Sequence, residues 1–295
     1  MAGLAGSTND GVDPGSRAVS SGAASSRAAL GIDVGGTGIK AAVVEVETGA
    51  LLSRRIRVGT PQPATPSDIA KAVKQLVEMI AADYELPADL PVGCTMPAVI
   101  KGGVAQTAAN IDKGWIGTSV EDVFGQALGR RVYALNDADA AAIAEARLGA
   151  GRDVVGTVLL LTIGTGIGSG LLVDGHLVPN TEFGHVEMRG KDAEIRLSGV
   201  ARERRQLRWK QWAIEFNDYL ARLELYVSPD LIILGGGVSK AIDRYREWLK
   251  SRAPIVPAHF LNAAGIIGAA LAAVEVDTAL DANLPAPSLS AVSEG

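Results

Sequence analysis

Two glycine-rich hairpins of the same design constrain this chain more than any other feature. Each consists of a short apolar strand, a turn containing Gly-Thr-Gly-Ile, and a second apolar strand. The turns lie at residues 36–39 and 164–167, roughly one domain length apart. Glycine leaves peptide N–H groups uncovered, so each turn can form a concave anion site. One such turn could be an ordinary hairpin, but two at this spacing predict a duplicated α/β domain with a ligand between the copies.

Phosphate binding is the chemistry that these turns suit best. Asp33 ends the first strand, where a carboxylate could hold a metal ion or its water beside a phosphate. The glycine spacing differs from a Walker loop and from a dinucleotide fingerprint, and a strand follows instead of a helix. The candidate phosphate ligands in the two turns are Gly35, Gly36, Thr37, Gly38, Gly164, Thr165 and Gly166.

A third glycine run, Gly235, Gly236 and Gly237, follows the apolar strand 231–234. Bare backbone there would let a flat base or a phosphate approach closely, with Ser239 placed to cap the next helix. A simple strand-to-helix turn is the alternative interpretation.

Composition limits the class of protein. The 295 residues suffice for two domains that each bury a core. A net charge of −5 gives no general attraction to nucleic acid or anionic lipid, and we expect no apolar run of membrane-spanning length. The single cysteine, Cys94, excludes an internal disulfide and a multi-cysteine metal site. These features predict a cytoplasmic protein, with disordered tails at residues 1–27 and 277–295.

The hydrophobic periodicity predicts the same order of elements in both halves, three strands followed by a helix and a strand, more loosely in the second. In the second half the later predicted elements are a helix at 210–225, a strand at 231–234, a helix at 242–249 and an apolar final helix at 265–274.

Polar residues follow the short predicted strand at 131–135. Asn136, Asp137 and Asp139 come at its carboxyl end, directly before an alanine-rich helix. Carboxylates in this position of an α/β fold project into the crevice where ligands bind. One aspartate could simply cap the helix. An Asn-Asp pair at a cleft, however, suits gripping one hydroxyl and deprotonating its neighbour.

Two loops carry candidate sugar ligands. Glu182, His185 and Glu187 place two carboxylates and an imidazole within six residues, a set that could converge on a polyhydroxylated ligand. Metal binding is the rival interpretation, although the cysteines that would complete a zinc site are missing, and His185 could also be a buried structural histidine. Asn110 and Trp115 offer an amide and an aromatic face in the loop 106–115.

Residues 189–210 contain eight basic and three acidic side chains. Such a run is usually a solvated helix face. The alternative is a track for an extended polyanion, held by phosphate contacts and weakened by salt. The candidate track residues are Arg202, Arg204, Arg205 and Arg208.

Together these motifs resemble the ROK (repressor, open reading frame, kinase) family of sugar kinases, within the actin–hexokinase ATPase superfamily. The resemblance spans about residues 30–274. It implies an actin-like ATPase fold of the ribonuclease H-like type, in which a βββαβα unit is duplicated and two domains enclose a central cleft. The implied domains are residues 28–134 plus 262–276, and residues 135–261.

The resemblance also implies roles for single residues. Residues 33–40, including Lys40, and residues 161–170 correspond to the two phosphate motifs, and residues 231–239 to the adenosine motif. Asp137 corresponds to the catalytic aspartate, which accepts the proton of the sugar 6-hydroxyl. Mg²⁺ would accompany the donor phosphates, with Asp33 or Asp137 as a carboxylate near it and no firm ligand set. The implied sugar ligands are Asn110, Asn136, Asp137, Glu182, His185 and Glu187.

Many ROK proteins carry a zinc site built from this histidine and three cysteines downstream, where this chain has its basic segment. The sequence therefore most resembles the zinc-free branch, the polyphosphate glucokinases and polyphosphate/ATP glucomannokinases. This implies transfer of a terminal phosphoryl group from polyphosphate or ATP to glucose, in some cases to mannose, by a homodimer without zinc. It also leaves open how the histidine loop is braced.

Two other functions are weighed against the kinase. Some relatives are sugar-responsive repressors, but residues 1–27 have neither the length nor the apolar periodicity of a helix-turn-helix, so no nucleic-acid partner is expected. A catalytically inactive sugar-binding protein is the third hypothesis, and the intact pair Asn136 and Asp137 argues against it.

Overall fold

Two five-stranded sheets form the framework of the protein. The structure, a computed structural model, describes residues 27–282, so the tails expected at residues 1–26 and 283–295 lie outside the described residues. The strands are β1 (Ala28–Val34), β2 (Ile39–Glu45), β3 (Ile56–Val58), β4 (Val92–Met96), β5 (Ile100–Lys101), β6 (Val104–Ala105), β7 (Tyr133–Asn136), β8 (Thr157–Ile163), β9 (Ile167–Val173), β10 (His176–Val178), β11 (Leu231–Gly235) and β12 (Ile255–Pro257).

The two sheets have the same topology. The first has the order β3-β2-β1-β4-β7 and the second the order β10-β9-β8-β11-β12, while β5 and β6 form a separate small hairpin. In both sheets the first three strands are antiparallel neighbours, and the last two run parallel to the first. The predicted duplication, and with it the actin-like fold with two domains, is confirmed. The exact domain boundaries stay a prediction.

The helices cover the sheets and agree with most of the predicted positions. They are α1 (Pro66–Ala81), α2 (Val120–Leu128), α3 (Asp137–Leu148), α4 (Ala193–Leu197), α5 (Gly199–Arg204), α6 (Trp209–Val227), α7 (Gly236–Ser239) and α8 (Ala264–Asp281).

Two predicted helix assignments are wrong. The segment 242–249 forms two short 3₁₀ turns instead of a helix, Ile242–Arg244 and Arg246–Trp248, because Tyr245 between them leaves helical geometry at φ −146°. At the other end, α8 continues to Asp281, so residues 277–281 are not a disordered tail. Near this end of α8, Arg131 forms an exposed ion pair with Asp277 at 3.6 Å.

Close packing of α8 against α3 and the first sheet requires small residues. A Cβ atom on Gly93 of β4 would collide with the carbonyl oxygen of Ala269, and one on Gly268 would collide with that of Ala140. The alanine-rich composition of both helices lets their backbones approach in the same way. The resulting core is apolar on all sides, which is why α8 shows no amphipathic pattern.

This buried environment explains an apolar run that the composition argument overlooked. Within residues 27–282, the segment Leu261–Leu280 is long and apolar enough to cross a membrane, with a mean hydropathy of 1.6. More than half of it, 56%, is buried inside the protein. The expectation that no run approaches membrane-spanning length is therefore wrong, and the packing of α8 fits a core helix.

Candidate active site

A cavity of about 160 Å³ lies between the two sheets. From the first sheet it is lined by Asp33 and Lys40, which flank the first hairpin, and from the second by Gly235 and Gly236. Asp137, the first residue of α3, lies on its wall. The structure thus brings the predicted catalytic aspartate together with residues of the predicted first phosphate motif and adenosine motif.

Each glycine hairpin is closed by a hydrogen bond within its own turn. In the first, the Gly35 N–H donates to the Gly38 carbonyl at 3.1 Å, and in the second the Gly164 N–H donates to the Gly166 carbonyl at 3.0 Å. These two amides are bound within their own turns, so they are not free to bind a phosphate.

The tips of both hairpins remain open. Thr37 and Thr165 are exposed, and their amide N–H groups, like that of Gly36, have no hydrogen-bond partner among residues 27–282. A Cβ atom on Gly164 would meet nothing within 4 Å. The capacity to bind an anion therefore resides in the tips.

Two further side chains contact the first hairpin. Arg57 of β3 donates to the Thr37 carbonyl at 3.0 Å, and its guanidinium covers Gly38. Sequence reasoning missed Arg57, whose only signal is its place on a strand beside the motif. Asn110 adopts a left-handed backbone conformation at φ 60°. A Cβ atom added to Gly36 would lie 2.9 Å from the Cβ atom of Asn110. Asn110 therefore lies beside the phosphate hairpin, as its predicted role requires.

The aromatic face predicted for the same loop is wrong. Trp115 is fully buried, its indole N–H donates to the Ala64 carbonyl at 3.0 Å, and its ring packs on Phe124. The loop consequently offers a ligand no surface of this tryptophan.

Asp33 is held by two side chains. Lys40 binds its Oδ2 at 2.8 Å, and the Thr95 hydroxyl donates to its Oδ1 at 3.0 Å. Within residues 27–282, no group of three acidic, histidine or cysteine side chains forms a metal cage. Mg²⁺ needs only one or two carboxylates when phosphates and waters complete its shell. Asp33 and Asp137, which line one cavity, fit that requirement.

Asp137 has the electrostatic environment of a general base. Its burial and the nearby Asp33 carboxylate raise its pKa to about 7, against the opposing effect of the Ala138 N–H, which donates to its Oδ1 at 2.8 Å. A carboxyl with a pKa near the working pH is suited to accept a proton during reaction.

Asn136 is the N-cap of α3, so the prediction that an aspartate caps this helix is wrong. Its Oδ1 accepts from the N–H groups of Ala138 at 2.8 Å and Asp139 at 3.1 Å, and its Nδ2 donates to the Ala98 carbonyl at 3.1 Å. The buried position of Asn136, ahead of the first helical residue, lets its oxygen reach both donors. Its role as a sugar ligand stays a prediction, with one N–H left to offer.

Asp139 is buried, and only one of its two carboxylate oxygens has a hydrogen-bond partner among residues 27–282. Its Oδ2 accepts from the Asn180 N–H at 2.7 Å, while its Oδ1 has no hydrogen-bond partner. Burial raises the pKa of this carboxyl to about 7. A cavity of about 20 Å³ beside it has room for one water.

Asn180 ties the two halves of the protein together. Its side chain accepts from the Ile100 N–H and donates to the Ile100 carbonyl, both at 2.9 Å. Ile100 belongs to β5, whereas Asn180 follows β10 and precedes the loop with the candidate sugar ligands. Sequence reasoning missed this contact because no local pattern links residues 80 positions apart.

The loop that carries Glu182 and His185 is held against β9. The Ser169 hydroxyl donates to the Thr181 carbonyl at 2.7 Å and accepts from the Phe183 N–H at 2.9 Å. Gly184 lies against the Ile167 carbonyl, where any Cβ atom would collide. The candidate sugar loop therefore sits directly on the strand that leaves the second hairpin.

His185 lies between two carboxylates. Its Nδ1 is 2.9 Å from Oδ2 of Asp192, and its Nε2 is 3.9 Å from Oε2 of Glu182. The hydrogen bond with Asp192 raises the pKa of His185, and burial raises the pKa of Glu182. Glu182 in turn contributes to the raised pKa of Asp137, so the three groups lie in one electrostatic environment.

Asp192 braces the histidine loop in a segment that lacks the cysteines of a zinc site. It also pairs with Glu187 in an isolated bridge that closes the turn 187–192. The Glu187 carboxylate accepts from the Gly190 N–H at 3.2 Å within that turn, so its sugar contact stays a prediction. Sequence reasoning missed Asp192, counting it only as one of the acids within the basic run.

The glycine run after β11 has a structural requirement of its own. Gly236 has φ +73°, and a Cβ atom there would come within 2.5 Å of the Ile163 carbonyl oxygen. Gly235 lines the cavity, and its predicted contact with a nucleotide stays a prediction. The Ser239 hydroxyl donates to the Gly236 carbonyl at 2.8 Å, so Ser239 ends α7 and the prediction that it caps the next helix is wrong.

Two of the four arginines of the predicted track, Arg202 and Arg208, line one surface groove. Arg205 makes a bidentate ion pair with Glu215, with both distances at 2.8 Å, which neutralises its charge. Arg204 donates to the Ile195 carbonyl at 2.8 Å. The place of Arg204 and Arg205 in the track stays a prediction.

Comparison with known proteins now decides the family. Residues 29–200 match the model of the ROK family. The chain belongs to the ROK family. A curated relative, the polyphosphate glucokinase of Mycobacterium tuberculosis, is 46% identical over 254 residues, which cover 86% of this chain and 94% of the relative.

Solved ROK structures agree with this assignment. The inorganic polyphosphate/ATP-glucomannokinase from Arthrobacter sp. strain KM is 50% identical with a TM-score of 0.81, over 84% of this chain and 98% of that one. A ROK family glucokinase from Streptomyces griseus, solved with glucose and AMPPNP, is 27% identical with a TM-score of 0.72, over 84% and 99%. The predicted family and its kinase fold are confirmed.

Proposed function

We propose that this protein is a sugar kinase that transfers the terminal phosphoryl group of inorganic polyphosphate or ATP to the 6-hydroxyl of glucose. The observation that carries the proposal is Asp137, whose pKa of about 7 suits a base, in one cavity with Asp33 and Lys40 beside the first hairpin. The names of the relatives at 46% and 50% identity support both donors and glucose, and the second supports mannose as a further acceptor.

We assign sugar recognition to the predicted ligands, of which Glu182 lies near enough to Asp137 to raise its pKa. Glu182 and His185 supply an acceptor and a donor for sugar hydroxyls, with the imidazole oriented by Asp192 at 2.9 Å. Asn110 lies beside Gly36 of the first hairpin. Asn136 and Glu187 complete the proposed set with weaker support, since each already binds a backbone group.

Phosphoryl transfer then follows from this arrangement. Asp137 accepts the proton of the 6-hydroxyl as that oxygen attacks the terminal phosphorus in line, and the bond to the bridging oxygen breaks. The products are glucose 6-phosphate and either ADP or a polyphosphate shorter by one unit. The tip amides and the hydroxyls of Thr37 and Thr165 neutralise charge that develops on the phosphoryl oxygens, together with Lys40.

Mg²⁺ would supply further charge neutralisation at the donor phosphates, with Asp33 and Asp137 as the carboxylates that hold it or its waters. We also propose a cytoplasmic location and a homodimer, which the family resemblance supports. Light scattering after size-exclusion chromatography tests the dimer.

The direct test is a four-way assay of the full-length protein, with glucose and mannose each offered with ATP and with polyphosphate of defined length. The proposal expects consumption of the donor only when sugar is present. Asp137→Asn should abolish turnover while largely sparing glucose binding measured by calorimetry, and near-normal activity would remove Asp137 from its role. Glucose binding without donor consumption in all four reactions would favour a sugar-responsive repressor or an inactive sugar-binding protein.

A further inference from the structure

A groove of about 700 Å³ lies outside the cavity, between the segment that joins α5 to α6 and the 3₁₀ turns after α7. We call it the basic groove. Four cations and one acid, Glu203, contribute to its lining. Its defining side chains are Arg202, Arg208, Lys210 and Arg244, with Trp209 and Trp248 between them.

The cations of the basic groove are available to a ligand. Arg208, Lys210 and Arg244 are exposed, and among the described residues none of them has a carboxylate oxygen within ion-pair distance. This sets them apart from Arg205, whose charge Glu215 neutralises. Three cations without a carboxylate partner thus lie in one groove of a protein whose net charge is −5. An anionic ligand would be attracted to this groove ahead of the rest of the surface.

The two tryptophans hold cations in place. The Arg202 guanidinium lies 4.0 Å from the centre of the Trp209 ring, and the Lys210 ammonium lies 5.7 Å from the centre of the Trp248 ring. Arg244 lies 5.8 Å from the Trp209 ring. Cations restrained over aromatic rings lose less conformational freedom when they bind a ligand.

Both walls of the basic groove begin at the candidate donor site. On one side, the Val200 N–H at the start of α5 donates to the Gly164 carbonyl of the second hairpin at 3.2 Å. Arg202 follows two residues later, about 3 Å further along the helix axis. On the other side, the chain leaves the cavity at Gly236, passes through α7 and reaches Arg244. The basic groove is therefore connected to the second hairpin through α5 and to the cavity through α7.

We propose that the basic groove binds the distal part of a long inorganic polyphosphate chain whose terminal phosphoryl group lies in the cavity. This inference rests on the proposed function, and it names the site at which the enzyme distinguishes polyphosphate from ATP. Polyphosphate carries charge along its whole length, whereas ATP ends in an uncharged nucleoside. The groove therefore strengthens binding of long polyphosphate and leaves ATP binding unaffected.

The test compares two triple variants of the full-length protein that lose the same charge. Arg208→Gln, Lys210→Gln and Arg244→Gln neutralise the groove, while Arg202 is kept because it packs on Trp209. The control variant carries Arg55→Gln, Lys74→Gln and Arg222→Gln, which are exposed and lie outside the groove.

The groove variant should raise the KM for long-chain polyphosphate by about tenfold or more, because three phosphate contacts are lost. The KM of the groove variant for ATP should stay within about twofold of the wild-type value. The control variant should keep its KM values for both polyphosphate and ATP within the same limit. The slope of log KM for polyphosphate against log salt concentration should fall by about 2 in the groove variant, as expected for three lost contacts.

Three outcomes would overturn the assignment: an unchanged KM for polyphosphate, an equal loss with ATP, or the same loss in the control variant. Binding of fluorescent polyphosphate without sugar separates this inference from the kinase proposal. If the wild-type protein consumes neither donor, the kinase proposal fails. The groove assignment is then supported only if the groove variant loses polyphosphate binding and the control variant keeps it. Equal displacement by single-stranded DNA of the same charge would indicate a non-specific polyanion surface and would also overturn the assignment.

Discussion

Asp137 and Asp139 should make the folded protein less stable at the pH at which it works. The pKa of each carboxyl is raised from 3.8 to about 7, chiefly by burial, whereas both ionise normally in the unfolded chain. That difference corresponds to at most about 4 kcal/mol of lost stability per group. About 2 kcal/mol is the expectation for Asp137, because solvent reaches part of it.

The sign of the pH dependence follows from the same values. Because the folded-state pKa lies above the unfolded value of 3.8, both states are protonated below about pH 3 and the cost is absent. The cost grows as the pH rises and is complete above about pH 7. Asp137→Asn should therefore raise the free energy of unfolding by about 2 kcal/mol at pH 8 and by about 1 kcal/mol at pH 4.5.

Asp139→Asn is the matched control for this experiment. It removes the second buried charge but keeps an oxygen that can accept from the Asn180 N–H. Both variants should gain stability at pH 8 in urea unfolding, yet only Asp137→Asn should lose turnover, by about 10²–10⁴-fold. A variant at position 137 that is no more stable than wild type at pH 8 would refute the argument from burial. Loss of turnover at position 139 alone would assign the base to Asp139.

Three further measurements test neighbouring parts of the site. Burial and the Asp33 carboxylate raise the pKa of Asp137, so wild-type kcat/KM should fall as the pH drops below about 7, and Asp33→Asn should move this fall to lower pH; an unmoved profile would contradict the coupling. Asp192→Asn should raise the glucose KM several-fold with a smaller effect on kcat, because His185 loses its orienting carboxylate; steady-state kinetics that show a change in kcat alone would count against a binding role. Asn180→Ser should lower the free energy of unfolding by about 1–2 kcal/mol and raise the glucose KM, and unchanged urea unfolding would exclude a stabilising bridge at this position.

The duplicated fold was predictable because local patterns determine it. Each hairpin consists of adjacent residues with period-two hydrophobicity and a glycine turn, so its strands pair without help from distant parts of the chain. The repeat of that pattern at residues 36–39 and 164–167 then predicts the duplication. The final helix was predicted too, although the sequence pattern did not show that it continues to Asp281.

The finer details of the site depend on tertiary contacts that local patterns do not encode. Asn136, Asp137 and Asp139 are all good N-cap residues, and the position of the β7 end relative to α3 decides among them. The charge count of the basic segment could not reveal that Glu215 neutralises Arg205.

Long-range contacts explain the residues that sequence reasoning missed or misplaced. A tryptophan such as Trp115 is a residue type common at sugar sites. In the folded protein, however, Trp115 is buried, and its indole N–H donates a hydrogen bond to the carbonyl of Ala64, 51 residues away. Asn180 and Ile100 meet only because the two sheets face each other in the folded protein.

In the proposed reaction, Asp137 activates a sugar hydroxyl in the cavity between the sheets, and this hydroxyl receives the phosphoryl group. The most direct test is ³¹P NMR of the wild-type protein with glucose and either polyphosphate or ATP, with Asp137→Asn as the blank. We expect glucose 6-phosphate as the product of wild type, and product formation by the variant that is slower by about 10²–10⁴-fold. Donor signals that stay unchanged with wild type, or a product that forms equally fast with the variant, would contradict it.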